Sequence, residues 1–251
     1  QSISKIITLA VALEICGFDQ VFKKVGMEPT GDPFNSLMKV ENTDSSPYNP
    51  MINAGAIVVA SCLASEISFD TMLDTIRALC MDPDINLDKK VYHSEMSHIS
   101  RNRAIAYLLE SKGYIEKNKD VENSLHFYVK MCSLSVTAES LAGLGLILAN
   151  DGIHPDTGKR LLSSQAVKIV KTLMFTCGMY DGSGEFAVRV GIPSKSGVGG
   201  GILSVVDGEM GIGIFGPALD KKGNSVAGEC VLEYMSHELH LHMFDPQRHT
   251  L

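Results

Sequence analysis

The hydrophobic rhythm of this chain changes once, and that change restricts the fold more than any other feature. From Ser2 to Cys177 apolar residues recur with helical spacing; beyond Cys177 they gather into short runs broken by glycine. Ser2 to Cys16 is apolar nearly all round and stops at Gly17, as a buried helix with a glycine just past its end would. Asn53 to Ser65 is equally apolar, and its small residues (Ala54, Gly55, Ala56, Ala60) admit close helix packing. Phe69 to Met81, Arg101 to Ser111, Val121 to Met131, Thr137 to Asn150 and Ser164 to Cys177 read as amphipathic helices. Ser163 or Ser164 supplies a starting cap, and Gly152 and Gly178 supply stops. Gly31 to Pro50 holds Pro33, Pro47 and Pro50 and reads as loop. After the change, Phe186 to Gly191, Ile202 to Val206 and Met210 to Phe215 read as strands, with Asp207-Gly208 as a hairpin turn. The last two are rich in glycine, as in a sheet approached closely by other backbone. Ser225 to Leu239 closes the pattern as an amphipathic helix. A helical body plus a small antiparallel sheet backed by a C-terminal helix is an α+β fold. No repeat, low-complexity tract or linker divides the chain. It reads as one domain over 1–251, mainly helical through 177, with sheet and final helix in 178–251.

Composition narrows the function. A hydrophobic fraction of 45% and a charged fraction of 20% are those of a soluble globular protein. The net charge of −7, with no basic block to offset it, argues against a nucleic-acid surface. No apolar run reaches the roughly 18 uncharged residues of a membrane span. Ile3 to Ile15 is too short for one, contains Lys5 and Glu14, and lacks a signal-peptide cleavage pattern. Six cysteines lie scattered without a C-x-x-C pair, which suits reduced thiols in a core and a cytoplasmic setting. His237-Glu238-Leu239-His240-Leu241-His242 lacks the H-E-x-x-H spacing of a metal helix, and histidines near a helix C-terminus are favoured by its dipole. Gly199-Gly200-Gly201 lacks the G-x-G-x-x-G spacing and no helix follows it, so close backbone packing is the better reading than a nucleotide loop. Neither a metal nor a cofactor is expected.

Chemistry enters with Ser2-Ile3-Ser4-Lys5 at the head of the first apolar run. A serine three residues ahead of a lysine on a helix shares a face with it. Burial and nearby positive charge would depress the lysine pKa, so that the amine can take the serine proton and create a nucleophile. Much later comes Lys195-Ser196-Gly197, the strand element that lines the opposite wall of the cleft in serine acyl-transfer enzymes such as β-lactamases. A second S-x-x-K, Ser36-Leu37-Met38-Lys39, follows Gly31-Asp32-Pro33 and belongs in or beside a loop. The middle element of such enzymes is S-D-N or Y-x-N, and Tyr128-Val129-Lys130 departs from both, which leaves open whether Tyr128 shuttles protons or only fixes substrate. Tyr180, in the turn Cys177 to Gly182, could serve as acid or base if Lys5 and Lys195 lower its pKa. Backbone amides of Ser2 and Val198 are candidate oxyanion donors.

Beyond these motifs, the chain resembles the serine-dependent glutaminases, which share the β-lactamase/transpeptidase fold. The resemblance is carried by Gln1-Ser2-Ile3-Ser4-Lys5, by Glu28 through Asn35 (E-P-T-G-D-P-F-N) and by Asn49 through Ala56 (N-P-M-I-N-A-G-A). It continues through Ser94-Glu95, Arg101-Asn102, Phe127-Tyr128, Cys177 through Asp181, and Lys195 through Val198. It implies hydrolysis of L-glutamine to L-glutamate and ammonia by way of a γ-glutamyl-serine. Ser2 would be the nucleophile and Lys5 its base, with Tyr128 and Tyr180 as further catalytic candidates. Ser2, Asn53, Glu95, Asn102, Tyr128, Tyr180 and the Val198 backbone would contact substrate, in a homodimer or homotetramer. Glutamine is a zwitterion with a neutral amide, so its site needs an ammonium acceptor, for which Glu95 serves, and carboxylate donors among Asn53, Asn102 and the tyrosines. Read alone, Glu95 is equally a solvated carboxylate, Asn53 a helix N-cap and Asn102 a helix-surface amide. Family members carry an upstream segment that supplies further strands and a substrate tyrosine, and the sequence here begins one residue before Ser2. Two other readings stay open: a serine acyl transferase that recognises β-lactams, and a catalytically dead glutamine-sensing module.

Overall fold

The computed structural model describes residues 1–30, 46–117 and 119–248. Most of the Gly31 to Pro50 segment therefore lies outside the described residues, the second S-x-x-K at Ser36–Lys39 with it. The chain forms two compact units: Gln1, Ile3–Arg77 and Pro83–Ser135 in the first, and Ser2, Ala78–Asp82 and Val136–Leu251 in the second. No single helix among the described residues is long and apolar enough to cross a membrane.

The first unit is helical. It contains α1 (Ser4–Ile15), α2 (Phe18–Phe22), α3 (Asn53–Ala64) and most of α4 (Phe69–Leu79). A two-residue antiparallel ladder of β1 (Asn86–Leu87) with β2 (Leu134–Ser135) encloses α5 (Lys89–Ser97), α6 (Ser100–Ser111) and α7 (Val121–Cys132). α3 is the axis. Every residue from Ala54 to Leu63 is buried, and α1, α6 and α7 all pack on it. A helix apolar all round has no face to give to water, so it must sit inside. At Gly55 a Cβ would stand 2.0 Å from the Asn49 carbonyl oxygen, so only glycine lets the Asn49-Pro50 turn cross the start of α3. α5 is the opposite case, with no buried residue.

The second unit sets α8 (Ala138–Ala149) and α9 (Ser164–Cys177) beside a three-stranded sheet. A 3-10 turn at Tyr180–Gly182 leads into α10 (Ser183–Arg189), followed by β3 (Ser194–Ser196), β4 (Gly201–Val206), β5 (Met210–Phe215) and α11 (Val226–Glu238). The strands run antiparallel in the order β3-β4-β5, with Lys195 opposite Leu203 and Val205 opposite Gly211. Alternation sorts the side chains by face. Ile202, Val206 and Ile212 join Leu232 of α11, Phe186, Val190 and Met179 in one apolar core. On the other face α8 lies directly on β5, where a Cβ at Gly213 would come within 1.9 Å of the Ala138 oxygen. The glycine-rich strands are thus the close backbone approach that the sequence suggests.

Most expected helices and both later strands appear within one to two residues of their expected limits. Ser163 caps α9 by accepting from the Ala166 amide, and Gly17 takes φ +83° beyond α1. Phe186 to Gly191 is not a strand. Phe186 and Val190, four apart, are buried while Val188 is 79% exposed, which is helical spacing that five alternating residues imitate. Gly178 keeps an ordinary φ of −77°; it is glycine because a Cβ would meet the Ser194 oxygen at 1.8 Å.

Candidate active site

In the first unit the arrangement begins at Asn49, a buried side chain whose Oδ1 accepts from the Met51 amide at 2.9 Å and whose Nδ2 donates to the Glu28 carbonyl at 2.7 Å. This turn fixes both the Met51 carbonyl and the entry to α3. Asn53 opens α3 but does not cap it; the cap position is Ile52. The Asn53 carboxamide turns sideways instead. Its Oδ1 accepts from Lys5 Nζ at 2.8 Å, and its Nδ2 donates to Asn102 Oδ1, on α6, at 3.2 Å. Lys5 Nζ also donates to the Met51 carbonyl at 3.1 Å. Lys5 is 2% exposed, and burial pushes its amine down to about 8, against a smaller upward pull from Cys132. A neutral amine has two hydrogens and one lone pair. The two acceptors take the hydrogens and leave the lone pair to act as a base.

Glu95 is half-buried on α5 and accepts from Gln1 Nε2 at 3.3 Å. Gln1 gave no functional signal of its own in the sequence beyond its place beside Ser2. Tyr128 is buried on α7, while Lys130 faces another way, with its Nζ 5.0 Å from the centre of the Phe69 ring. Residues two apart on a helix do not share a face, so the departure from Y-x-N leaves the Tyr128 face unchanged. The Arg103 guanidinium forks onto Glu122 at 2.8 and 3.0 Å and ties α6 to α7. Ser2 is buried, but it lies in the turn ahead of α1 rather than in the helix. The helix starts at Ser4, whose amide and Oγ both donate to the Gln1 carbonyl, at 3.0 and 2.7 Å.

In the second unit Lys195 on β3 is 0% exposed. Its Nζ donates to the carbonyls of Gly178 at 3.0 Å and Ser196 at 2.6 Å, and stands 4.5 Å from the centre of the Tyr180 ring. Tyr180 is buried in its turn with φ +54°, in the left-handed region that a bulky residue occupies only when its surroundings hold it there. Ser196 Oγ donates to Asn224 Oδ1 at 2.6 Å, and Asn224 Nδ2 reaches the Met179 carbonyl at 3.4 Å. Asn224, in the polar turn Lys221 to Asn224, carries no functional pattern in the sequence; the structure ties it to Ser196. Val198 sits at the tip of the β3–β4 hairpin, 37% exposed. There the Gly200 amide donates to the Gly197 carbonyl at 2.9 Å, and Gly200 takes φ +93° against the Gly216 backbone. Within the glycine run the close backbone packing belongs to Gly200, whereas a Cβ at Gly199 would meet nothing within 4 Å. Among the described residues no group of three or more His, Cys, Asp or Glu is placed to hold a metal ion, and α11 stops at Glu238, inside the histidine-rich stretch.

Comparison with known proteins adds to this geometry. The family model described as Glutaminase matches residues 1–244. A glutaminase of Fusobacterium nucleatum is 53% identical over 248 residues, which cover 97% of this chain and 81% of that protein. The crystal structure of a probable glutaminase of Bacillus subtilis superposes with a TM-score of 0.91 at 40% identity, covering 97% of this chain and 82% of the other. A crystal structure of the Bacillus subtilis glutaminase YbgJ is similar with a TM-score of 0.85 at 38% identity, covering 97% of this chain and 81% of the other. That protein was crystallised as a covalent complex with 5-oxo-L-norleucine, formed by its reaction with 6-diazo-5-oxo-L-norleucine. The α+β, β-lactamase-like fold expected from the sequence is the one these structures share.

Proposed function

Because this chain belongs to the glutaminase family, we propose that it hydrolyses the side-chain amide of L-glutamine to L-glutamate and ammonia, with Ser2 carrying the γ-glutamyl group between the two half-reactions. The observation that carries the mechanism is the Lys5 amine, buried, drawn down to about 8, and held by two neutral acceptors. In its neutral form Lys5 takes the Ser2 proton as Oγ attacks the amide carbon. The tetrahedral oxyanion is received by the backbone amides of Ser2 and Val198. The C–N bond then breaks, and the proton passes to the departing nitrogen, which leaves as ammonia. Water attacks the ester and gives a proton to the regenerated base, which passes it to Ser2 Oγ as the C–O bond breaks and glutamate leaves. Tyr128 and Tyr180 hold the substrate or relay these protons.

Recognition of the zwitterion divides among neighbours. Glu95 takes the α-ammonium, while Asn102 and Asn53 donate to the α-carboxylate. Asn102 Oδ1 is already engaged by Asn53, which turns the Asn102 NH2 group into the available donor. The whole of 1–251 acts as one catalytic domain, and the active form is a homodimer or homotetramer in the cytoplasm.

The diazoketone used on the Bacillus subtilis protein supplies the test. Displacement of N2 by Ser2 Oγ would leave a 5-oxo-norleucine ether, and digestion followed by mass spectrometry would find it on the peptide that contains Ser2. Ser2→Ala should lose both the adduct and ammonia release from glutamine. Adduct on Ser4, or undiminished ammonia release by Ser2→Ala, would overturn the assignment. Acylation of Ser2 by a β-lactam with glutamine untouched would favour the transferase reading. Glutamine binding without turnover would favour the sensor.

A further inference from the structure

α5 poses a mechanical problem. It carries Glu95, yet no residue of the helix is buried, so the apolar packing that fixes α3 cannot fix it. Its start is held locally: Asp88 accepts from the Lys90 and Val91 amides at 2.9 and 3.0 Å, and the Asp88 amide donates to the Ser133 carbonyl at 2.8 Å. Along the body of the helix, one side-chain hydrogen bond reaches α7 among the described residues. It joins Tyr92 Oη to His126 Nδ1 at 2.6 Å, with the two rings 6.2 Å apart. Tyr92 and Glu95 are three residues apart and share a face, so what holds Tyr92 also sets the turn that presents the carboxylate. On the other side, His126 sits one helical turn beyond Glu122, which the Arg103 fork ties to α6. The bond therefore ends on a helix that is itself fixed.

We propose that the Tyr92–His126 hydrogen bond is the clasp that positions Glu95, making Tyr92 and His126 positioning residues for recognition of the glutamine ammonium. This rests on the reading above that Glu95 takes that ammonium. The role predicts selectivity for substrates that carry the charge, which general support of the fold would not produce. A net hydrogen bond of this kind corresponds to about 2- to 12-fold in an equilibrium.

The experiment measures kcat and KM for glutamine and for N-acetylglutamine, which lacks the ammonium charge, together with the thermal midpoint. The proteins are Tyr92→Phe, His126→Phe, their double variant, His126→Asn and Glu95→Gln, with Tyr92→Phe also combined with Glu95→Gln. Tyr92→Phe and His126→Phe should each raise KM for glutamine about 2- to 12-fold with kcat nearly constant, and the double variant should be no worse. N-acetylglutamine kinetics should not move. His126→Asn, whose side-chain oxygen stands near the position of Nδ1, should recover most of the loss. Glu95→Gln should cost about 10- to 150-fold on glutamine, and Tyr92→Phe should add nothing to it. An unchanged KM in Tyr92→Phe, equal losses on both substrates, or a loss that persists in the Glu95→Gln background would overturn the clasp. If Glu95→Gln itself loses equally on both substrates, the ammonium reading has failed and the clasp falls with it. That outcome is distinct from a selective Glu95→Gln beside a harmless Tyr92→Phe.

Discussion

Lys5 and Lys195 are both withdrawn from water, one on a helix of the first unit and one on a strand of the second, and their surroundings differ in kind. Lys5 meets two neutral oxygens, from Met51 and Asn53, and burial leaves its amine near 8. Lys195 meets two backbone carbonyls and the face of an aromatic ring, a third partner that attracts a cation. An ammonium has three hydrogens to place, and an amine has two plus a lone pair. The first setting suits an amine that accepts a proton; the second adds a ring face that attracts positive charge. Two equally buried lysines thus meet different kinds of group, and only Lys5 is placed beside the proposed nucleophile in the sequence.

The largest effect that could break this contrast is Lys5→Ala, expected to lower kcat/KM by about 10²- to 10⁴-fold, the range of a lost general base. Ser2→Ala combined with Lys5→Ala should be hardly worse than either alone, because the two act as one unit. Additive losses would mean that Lys5 only packs or binds substrate. Asn53→Asp sharpens the contrast by replacing a neutral acceptor with a carboxylate, which holds Lys5 charged. In the parent, the neutral amine is the active form, so the rate should climb about tenfold per pH unit below 8 and level above it. In Asn53→Asp the inflection should move upward by about 1–2 units and cost about 10- to 100-fold at pH 7. An unmoved inflection would separate Lys5 from the rate. The smallest effect on chemistry belongs to Lys195→Met. The Ser196 carbonyl would lose its lysine donor in a dry site, while the Gly178 carbonyl keeps the Ser196 amide at 3.2 Å. The cost is about 1–3 kcal/mol, which lowers the thermal midpoint by about 2–12 °C. The inflection near 8 should stay where it is, and a shift would show that both lysines titrate in the reaction.

The elements that depend on burial were legible and those that do not were not. α3 and α1 announce themselves through continuous apolar runs, and the α8–β5 contact through glycines in a strand. α5 has no buried residue and so leaves no stripe in the sequence; Asp88 as an N-cap was its one local sign. α10 resembles a strand in the sequence because Phe186 to Val190 satisfies alternation and helical spacing alike over so short a run. The Lys5–Asn53–Asn102 chain joins residues 48 and 49 positions apart, and no local pattern encodes such a distance. The resemblance supplied those names, while the hydrogen bonds supply what Asn53 does for Lys5. Its N-cap reading fails because Ile52 holds the cap position, and the carboxamide turns instead to the lysine and to Asn102.

The seam between α8 and β5 has a consequence for how this sequence can vary. A Cβ at Gly145 would lie 2.7 Å from the Gly211 Cα, one at Gly211 would lie 2.1 Å from the Ala142 oxygen, and one at Gly213 would lie 1.9 Å from the Ala138 oxygen. Main chain rests on main chain there, with no side-chain rotamers to freeze when the surfaces meet. Elsewhere in a core, a changed residue can be absorbed by a neighbour that repacks. Here the nearest atoms are main chain, with the Leu203 side chain touching only the Gly145 end at 3.2 Å, so even one added methyl group must displace a strand or a helix. These three positions therefore admit a single residue type each, while the other face of the sheet, with Ile202, Val206 and Ile212, carries side chains that can trade volume.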